Sequence, residues 1–435
     1  MKKSAKIYYF TLTDEMPRED KLNWFANTKF EDIPFERIIP DKNHNWLNIA
    51  DNDFDDLLPL ANKETKLAKS QKEERAVFKL FSLGIATNRD DWVYSFSKIE
   101  LISKVKFFIE EYKKHINEWK NSGKQLSIHD FLHNKTVIKL TLFLERFIEK
   151  GKSLEFDVER IYQTSYRPFV KTYFYFDRII VHAPYQNFHI FPKATTSNKV
   201  ICFPGIGNRK EFGCLVVNSI TSLDLAFEKA QCLPLYRYDS KGNSTDNITD
   251  WGLNQFQSHY QDDTITKENI FHYTYAVLHH PAYRQKYALN LKREFPRLPF
   301  YVDFSQWVTW GKQLMDLHLN YEKVKKYRLK QIDIEINKPN KPKLKADKQA
   351  GKIDLDTVTT LQGIPSIAWE YKLGNRSALE WILDQYKEKK PRDKTIAEKF
   401  NTYRFANYKE HVIDLLQRVC TVSVETMKII EEMPE

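Results

Sequence analysis

The sequence contains few glycines, and this scarcity argues against nucleotide-binding loops. Only 12 of its 435 residues are glycine, well under the roughly 7% that is usual in proteins. Phosphate-binding loops need several glycines at fixed spacing, because their backbone must approach the phosphates closely. The sequence also lacks an Asn or Asp followed by Pro-Pro and an aromatic residue, which adenine methyltransferases use to hold a flipped base. We therefore expect no methyl transfer from this chain alone.

Cysteine pairs and long apolar runs are also missing. The four cysteines, at positions 202, 214, 232 and 420, include no C-x-x-C pair, so the sequence predicts neither a zinc knuckle nor a disulfide framework. No run of 18 apolar residues occurs, and the apolar run near the N-terminus is too short for a signal peptide. We expect a cytoplasmic protein with no membrane partner.

What the sequence does contain is basic charge on a globular composition. Hydrophobic residues make up 42% of the chain and charged residues 29%, while the formal net charge is +10. Residues 322–348 contribute 10 Lys or Arg and 4 Asp or Glu, which is 10 − 4 = +6 of that total. Such an excess of positive charge favours a polyanionic partner, either nucleic acid or an anionic surface.

Apolar periodicity divides the sequence into strands and helices. Apolar residues recur at helical spacing from Ile99 to Trp119, which predicts an amphipathic helix. Pro281 is acceptable at the first position of a helix, so we expect two helices within 268–294. β-branched and aromatic runs broken by Pro and Gly predict a mainly β region over 155–236. Further helices are expected at 21 onwards and over 74–83, 127–150, 304–320, 378–386 and 395–433.

This pattern predicts an α+β fold, with a mixed β core, flanking helices, a short strand before it and a helical tail after it. Residues 1–45 would hold one buried strand (AKIYYFTL) and a connection, and 46–154 a mainly helical connecting region. Residues 155–330 would form the α+β core region. Residues 331–435 would form a basic linker and a helical C-terminal region.

Two loops combine asparagine with arginine, a pairing suited to reading base edges. In the major groove, arginine can donate two hydrogen bonds to guanine, and asparagine can make two hydrogen bonds with adenine. The first loop contains Asn88 and Arg89, and the second contains Asn208, Arg209 and Lys210. A local structural role is equally open for each loop, because Asp90 can pair with Arg89 and Glu211 with Arg209.

Further cations are candidates for contacts with DNA. Arg167, Lys171 and Arg178 are interleaved with ten aromatic residues between Tyr162 and Phe191. Because a run with both faces apolar is typical of a central strand, we expect Tyr173–Phe176 in the core and the three cations at the surface. The basic stretch supplies further candidates for phosphate contacts, with a solvated linker as the alternative: Lys323, Lys325, Lys326 and Arg328.

Two other functions remain open from the residues. Asp354 or Asp356 with Glu370 and Lys372 resembles the acid and E-x-K pattern of a metal-dependent nuclease, although such loose spacing recurs by chance. The aromatic strands would suit base stacking in an RNA-binding protein. His279 and His280 are adjacent, so their side chains diverge on a helix and a shared metal is not expected.

Several blocks, in this order, resemble the C-terminal specificity region of type ISP restriction-modification enzymes and their adenine methyltransferase relatives. The resemblance runs from about residue 5 to residue 420. The blocks that carry it are GIATNRDDWVYSF, SYRPFVKTYFYFD, CLPLYRY, NIFHYTYAVLHHPAYRQKYALNLKREFPRLPF, WGKQLMDLHLNYE and YKLGNRSALEWILDQY.

The resemblance implies a target recognition region that chooses a double-stranded DNA sequence for chemistry done elsewhere. It implies that AKIYYFTL is the last piece of a methyltransferase domain whose cofactor and catalytic motifs would lie upstream. S-adenosylmethionine, ATP and Mg²⁺ would then bind methyltransferase and translocase parts or a partner, and this chain would need no cofactor. Individual base-reading residues do not carry over, because recognition loops diverge with the target.

Overall fold

The computed structural model describes residues 5–13, 16–40, 44, 46, 52–133, 135–335 and 340–435. The chain divides into two compact units, residues 1–55 and 56–435. The predicted boundaries at 154/155 and 330/331 both lie inside the larger unit.

The smaller unit contains a short two-stranded sheet and one helix. Strand β1 (Ile7–Tyr9) pairs antiparallel with β2 (Glu36–Ile38), and helix α1 (Arg18–Asn27) lies between them in sequence. Helix α1 has no buried residue. The prediction of one buried strand over AKIYYFTL is wrong in part, because the strand is only three residues long and Tyr8 is 56% exposed.

The helices of the larger unit follow the predicted apolar periodicity in most places. Their bounds are α2 Lys63–Leu67, α3 Asp90–Val93, α4 Lys98–Asn121, α5 Ile128–Leu132, α6 Leu142–Glu149, α7 Asp250–Tyr260, α8 Lys267–His279, α9 Pro281–Lys286, α10 Asn290–Arg293, α11 Phe304–Leu319, α12 Ala378–Gln385, α13 Lys394–Lys399 and α14 Lys409–Glu431.

The strands of the larger unit form several small sheets. Their bounds are β3 Leu58–Pro59, β4 Ser82–Leu83, β5 Tyr94–Ser95, β6 Ile161–Arg167, β7 Val170–Tyr175, β8 Val200–Phe203, β9 Leu215–Val217, β10 Gln231–Pro234, β11 Tyr236–Tyr238, β12 Ser244–Asp246, β13 Arg297–Leu298, β14 Lys330–Asp333, β15 Pro342–Asp347, β16 Lys352–Asp356, β17 Thr359–Gln362, β18 Lys372–Leu373 and β19 Arg376–Ser377.

Three of these sheets organise the larger unit. The orders are β4-β10-β8-β9, β5-β7-β6 and β14-β17-β16-β15, and every pairing within them is antiparallel. Phe174, Tyr175 and Phe176 are buried, as predicted for this run, whereas Tyr173 is half-buried. The mixed α+β class is confirmed as well.

Helices α8 and α11 cross at very short distance. A Cβ atom built on Gly311 of α11 would lie 1.8 Å from the carbonyl oxygen of His272 in α8. Only glycine fits at this crossing, because any side chain would collide with backbone. The same helices frame a buried polar chain. The Val216 N–H donates to the Tyr275 hydroxyl at 2.9 Å, and that hydroxyl oxygen lies 2.6 Å from Nδ1 of His318.

The chain of bonds continues to the C-terminal helix. Nε2 of His318 lies 2.8 Å from Oγ1 of Thr426, so β9, α8, α11 and α14 are joined by buried polar groups. Burial lowers the pKa of His318 to about 3, because its site does not solvate a charged imidazole.

The structure confirms two further predictions about helices and corrects two others. The helix over Ile99–Trp119 and the break before Pro281 are both confirmed. The predicted helix over 74–83 is wrong, because Val77 and Phe78 donate to the carbonyls of Pro59 and Leu60, and Phe78 makes an antiparallel β-bridge with Ile248. The stretch 127–150 forms two short helices, α5 and α6, rather than one.

The predicted basic linker is built into the fold over much of its length. Strands β14 and β15 occupy 330–333 and 342–347 at the two edges of a four-stranded sheet. Upstream of them, the Tyr327 N–H donates to Gln417 of α14 at 3.0 Å, and Oγ1 of Thr421 donates to the Lys325 carbonyl at 2.7 Å. Across the described ranges, no helix combines the length and the apolar character needed to cross a membrane.

Candidate nucleic-acid interface

The loop between β8 and β9 presents Arg209 to solvent. Gly207 begins the exposed turn with φ +78°, and its N–H donates to the Lys292 carbonyl at 2.8 Å. Asn208 is only 5% exposed, and its amide donates to the Lys210 carbonyl at 2.9 Å. Asn208 therefore holds the turn. It points Arg209 outward, with 85% of that side chain exposed.

A second Gly-Asn-Arg sequence lies beside this turn. Gly374, with φ +68°, connects β18 to β19. A Cβ built on Gly374 would lie 3.4 Å from Cδ of Lys210 and 2.8 Å from the Ala226 carbonyl oxygen. The structure thus brings Gly207–Lys210 and Gly374–Arg376 together, and we call these residues the paired-loop surface.

The side chains of the second loop differ in how firmly they are held. Asn375 is exposed. The Arg376 guanidinium lies 5.1 Å from the Trp381 ring centroid and 3.7 Å from Asp384. The paired-loop surface therefore presents the exposed amide of Asn375, the guanidinium of Arg376 in contact with Trp381 and Asp384, and the exposed guanidinium of Arg209.

Lysines surround the paired-loop surface, with one acid close to Arg209. Lys229 and Lys292 are both exposed and adjoin the Gly205–Gly207 turn. Arg209 pairs with Glu228 at 2.9 Å, and this hydrogen bond raises the pKa of Arg209 and lowers that of Glu228. The pair is solvent-exposed, so Arg209 can exchange Glu228 for another acceptor at small energetic cost.

The structure places Arg89 in the interior, unlike Arg209. Arg89 is 2% exposed, and its guanidinium donates to the carbonyls of Lys139 and Ile180 and to Oγ1 of Thr141. Burial lowers the pKa of Arg89 to about 10. Its donors are occupied by the fold itself, so the geometry favours the structural alternative over base reading.

Asn88, next to Arg89 in sequence, is exposed. It adopts φ +56° and lines a cleft of about 460 Å³ together with Lys139 and Arg392. Four aspartates also line this cleft, so it offers no net positive field. Base reading by Asn88 stays a prediction.

Two cations from the aromatic run are engaged within the protein. Nη1 of Arg167 donates to the Tyr166 carbonyl at 2.7 Å and to Oγ of Ser222 at 2.8 Å. Lys171 is ion-paired with Glu322, and both Arg167 and Lys171 are half-buried. Arg178, by contrast, is exposed, as predicted.

The four predicted cations of the basic stretch are exposed. Lys323, Lys325 and Arg328 face solvent beside α14, while Lys326 is paired with Asp414 at 2.7 Å. The backbone of this segment is hydrogen-bonded to α14. We call residues 323–328 the basic strip.

The residues suggested for a nuclease are not arranged as a metal site. Burial opposes ionisation of Asp356, yet hydrogen bonds from Lys409 and Asn340 hold its pKa below the usual value. Glu370 and Lys372 are exposed beside the β18–β19 hairpin. Within the part of the chain that is described, no three His, Cys, Asp or Glu side chains are grouped to hold a metal ion.

His279 is the last residue of α8 and His280 follows it, and both are buried. Nδ1 of His279 lies 2.9 Å from the Tyr275 carbonyl and 3.3 Å from Sγ of Cys214. Nε2 of His280 lies 2.6 Å from the Pro434 carbonyl.

Sequence reasoning missed Asn375 and Lys292. Gly374–Ser377 reads as the start of a helix, and Ser377 does cap α12 together with Glu380. The signal that was available is the repeated Gly-Asn-Arg triplet at 207–209 and 374–376. Only the fold places the two copies side by side.

Comparison with known proteins gives a consistent result. The family model for the type ISP C-terminal specificity domain matches residues 76–415. The cryoEM structure of a DrdV–DNA complex is similar at 48% identity and TM-score 0.92, over 99% of this chain and 43% of that chain. No curated protein matches the chain.

Two further solved structures are similar. A nuclease-deletion mutant of the type ISP restriction-modification enzyme LlaGI, in complex with a DNA substrate mimic, matches at 28% identity and TM-score 0.82, over 99% of this chain and 33% of that chain. The ATP-dependent type ISP enzyme LlaBIII bound to DNA matches at 27% identity and TM-score 0.76, over 92% and 25%. The chain spans less than half the length of each of these proteins.

Proposed function

Because the chain belongs to the family of type ISP C-terminal specificity domains, we propose that it recognises a specific sequence in double-stranded DNA. The observation that carries this proposal is the paired-loop surface. There, Arg209 and Asn375 are exposed on neighbouring loops that come from distant parts of the sequence.

These two side chains suit direct readout of a duplex. In the major groove, a guanidinium can donate hydrogen bonds to both O6 and N7 of guanine, and a carboxamide can make hydrogen bonds with both N6 and N7 of adenine. Each loop turns at a glycine with positive φ, which lets the backbone reverse sharply and present the following side chains outward. Asn208 fixes the shape of the first loop from beneath.

Phosphate contacts would position the duplex. Lys210, Lys229 and Lys292 surround the readout side chains, and lysines next to a readout site neutralise phosphates without carrying sequence information. The basic strip at 323–328 extends the positive surface of the protein. Its affinity contribution would be sequence-independent and sensitive to salt.

Methylation and cleavage would be done by methyltransferase and translocase parts, which would also bind S-adenosylmethionine, ATP and Mg²⁺. This chain would direct them to their site and would act in the cytoplasm, where the DNA is. We propose no catalytic residue in it.

The smaller unit offers a surface for a methyltransferase part. Several of its large apolar side chains are exposed although the unit is short, and it lies before the residues that the family model matches. These side chains are Tyr8, Leu22, Phe25, Phe30 and Ile39. Exposed apolar groups at this density favour burial against a partner. A methyltransferase–translocase fragment of a type ISP enzyme should therefore capture the wild-type chain and not the Leu22→Asp/Phe25→Asp variant.

The proposal is tested by selecting from a random duplex DNA library with the whole chain. Recurrence of one motif after successive rounds is the expected result. A library that binds but shows no enriched motif would reduce the chain to a non-specific DNA binder.

A further inference from the structure

A stack of planar side chains runs from the core of the larger unit to its surface. The rings of Phe174 and Phe176 are stacked with centroids 5.7 Å apart, and both side chains are buried. The Phe176 and Phe188 rings follow, with centroids 4.0 Å apart and an interplanar angle of 11°. The guanidinium carbon of Arg178 lies 3.9 Å from the Phe188 centroid.

The outer end of this stack is a guanidinium plane. Phe176 and Arg178 each lie about 4 Å from the Phe188 centroid, so they occupy opposite faces of that ring. Phe188 is half-buried and Arg178 is exposed. An arginine braced in this way offers its other face to a further planar group, since guanidinium planes stack well on aromatic systems.

The stack borders a groove of about 670 Å³ that carries excess positive charge. Lys152, Arg160, Arg178 and Lys193 line it, with Glu159 and Asp177 as the acids. Asp177 is already paired with Arg160 and accepts the backbone N–H groups of Ile179 and Ile180 at 2.7 and 3.1 Å. Lys152 and Lys193 are exposed, so their charges remain available to an anion.

We propose that this groove binds one unpaired nucleotide, with its base stacked on Arg178 and its phosphate held by Lys152 and Lys193. The ligand chemistry is a flat heteroaromatic ring joined to a phosphate. Bases inside a duplex have their faces covered by neighbouring bases, so only an unpaired base in a strand or a free nucleotide can bind in this way. The site is separate from the residues proposed to read the duplex.

The test is a fluorescence titration of the whole chain into a single-stranded oligonucleotide with one 2-aminopurine. Binding of the base on Arg178 should change the fluorescence of the 2-aminopurine in a saturable manner. Arg178→Lys keeps the positive charge and removes the plane, so it should weaken this binding about tenfold or more. Lys193→Gln is the matched change of charge alone, and it should weaken binding mainly at low salt.

A second titration separates the two sources of ligand. Free 2-aminopurine deoxynucleoside monophosphate should bind the same groove if the nucleotide is sufficient, and only the oligonucleotide should bind if neighbouring phosphates are needed. Both results support the groove, provided that Arg178→Lys weakens the binding about tenfold or more. Absence of a saturable fluorescence change with the wild-type chain, or equal affinity of folded Arg178→Lys, would overturn it.

Duplex selection with Arg178→Lys distinguishes this proposal from the proposed function. The motif and the affinity for duplex should be unchanged. Failure of the wild-type chain to select a duplex motif would count against the proposed function alone, because the fluorescence change on nucleotide binding does not depend on it.

Discussion

Lys210 packs against Gly374: a Cβ at position 374 would lie 3.4 Å from Cδ of the lysine. The two residues are 164 positions apart in the sequence, since 374 − 210 = 164. Their contact joins the loop after β8 to the β18–β19 hairpin, and it allows Arg209 and Asn375 to face one duplex. The readout surface is therefore a product of tertiary packing.

Replacing Gly374 should cost more than replacing Gly207. Both glycines have positive φ, where an L-residue costs roughly 1–2 kcal/mol. A Cβ at Gly207 would meet nothing within 4 Å, whereas at Gly374 it would lie 2.8 Å from the Ala226 carbonyl oxygen. Urea unfolding should show a larger loss for Gly374→Ala than for Gly207→Ala. Equal losses would mean that the turn at Gly374 does not pack closely against the Ala226 carbonyl.

Arg89→Ala should unfold the protein more readily without changing its sequence preference. The substitution removes donors from the carbonyls of Lys139 and Ile180, and unpaired buried acceptors cost on the order of 2–4 kcal/mol in total. Arg209→Ala is the matched control, and exposed sites of this kind change stability by about 0.5 kcal/mol or less. Melting curves decide the matter, and an unaltered melting temperature for Arg89→Ala would return Arg89 to the base-reading candidates.

Acid should destabilise the protein through His318. Its folded pKa of about 3 lies below the ordinary value of 6.5, so the unfolded chain binds more protons between these two pH values. Stability is therefore complete above pH 6.5 and is lost as the pH falls towards 3. Between pH 7 and pH 5 this one group should remove about 2 kcal/mol.

His318→Gln supplies the comparison for the acid effect. Glutamine does not titrate, so this variant should lose less stability than the wild type between pH 7 and pH 5, whatever its stability at pH 7. Parallel curves of unfolding free energy against pH would show that His318 is not the responsible group.

Removing charge from the basic strip should reduce the salt dependence of DNA binding. Each phosphate contact contributes about 0.9 to the slope of log K against log salt. Replacing Lys323, Lys325 and Arg328 by glutamine should lower that slope, and adding Lys326 should change it less, because Asp414 already pairs with it. The control replaces Lys106, Lys114 and Lys120, which are exposed on α4. An unchanged slope in the strip variant would leave these cations without a DNA role.

The spacing of apolar residues was sufficient to predict the helices in which these residues recur at regular intervals. Helix α4 and the break at Pro281 follow from spacing and from the chemistry of proline. The stretch around Val77 and Phe78 is not helical, because its consecutive buried residues bond to Pro59 and Leu60, which lie on another segment. No local signal distinguishes such a segment from a buried helix.

The sequence did not indicate which of the two candidate arginines is buried and which is exposed. Arg89 and Arg209 both follow asparagine in polar loops, yet one is buried and the other extends into solvent. The difference arises because the Lys139 and Ile180 carbonyls surround Arg89, and both are distant in sequence. The contact between Gly374 and Lys210 could not be predicted either, because these two residues are also distant in sequence.

The most direct test of the account is the motif selected from a random duplex library by the wild type, by Arg209→Ala and by Asn375→Ala. Exposed Arg146 of α6 and Asn121 of α4 provide the control substitutions. We predict that Arg209→Ala and Asn375→Ala each relax preference at one different position, with a cost of roughly 1–3 kcal/mol on the wild-type site. Motifs identical to that of the wild type in both variants would contradict the claim that the paired-loop surface reads DNA.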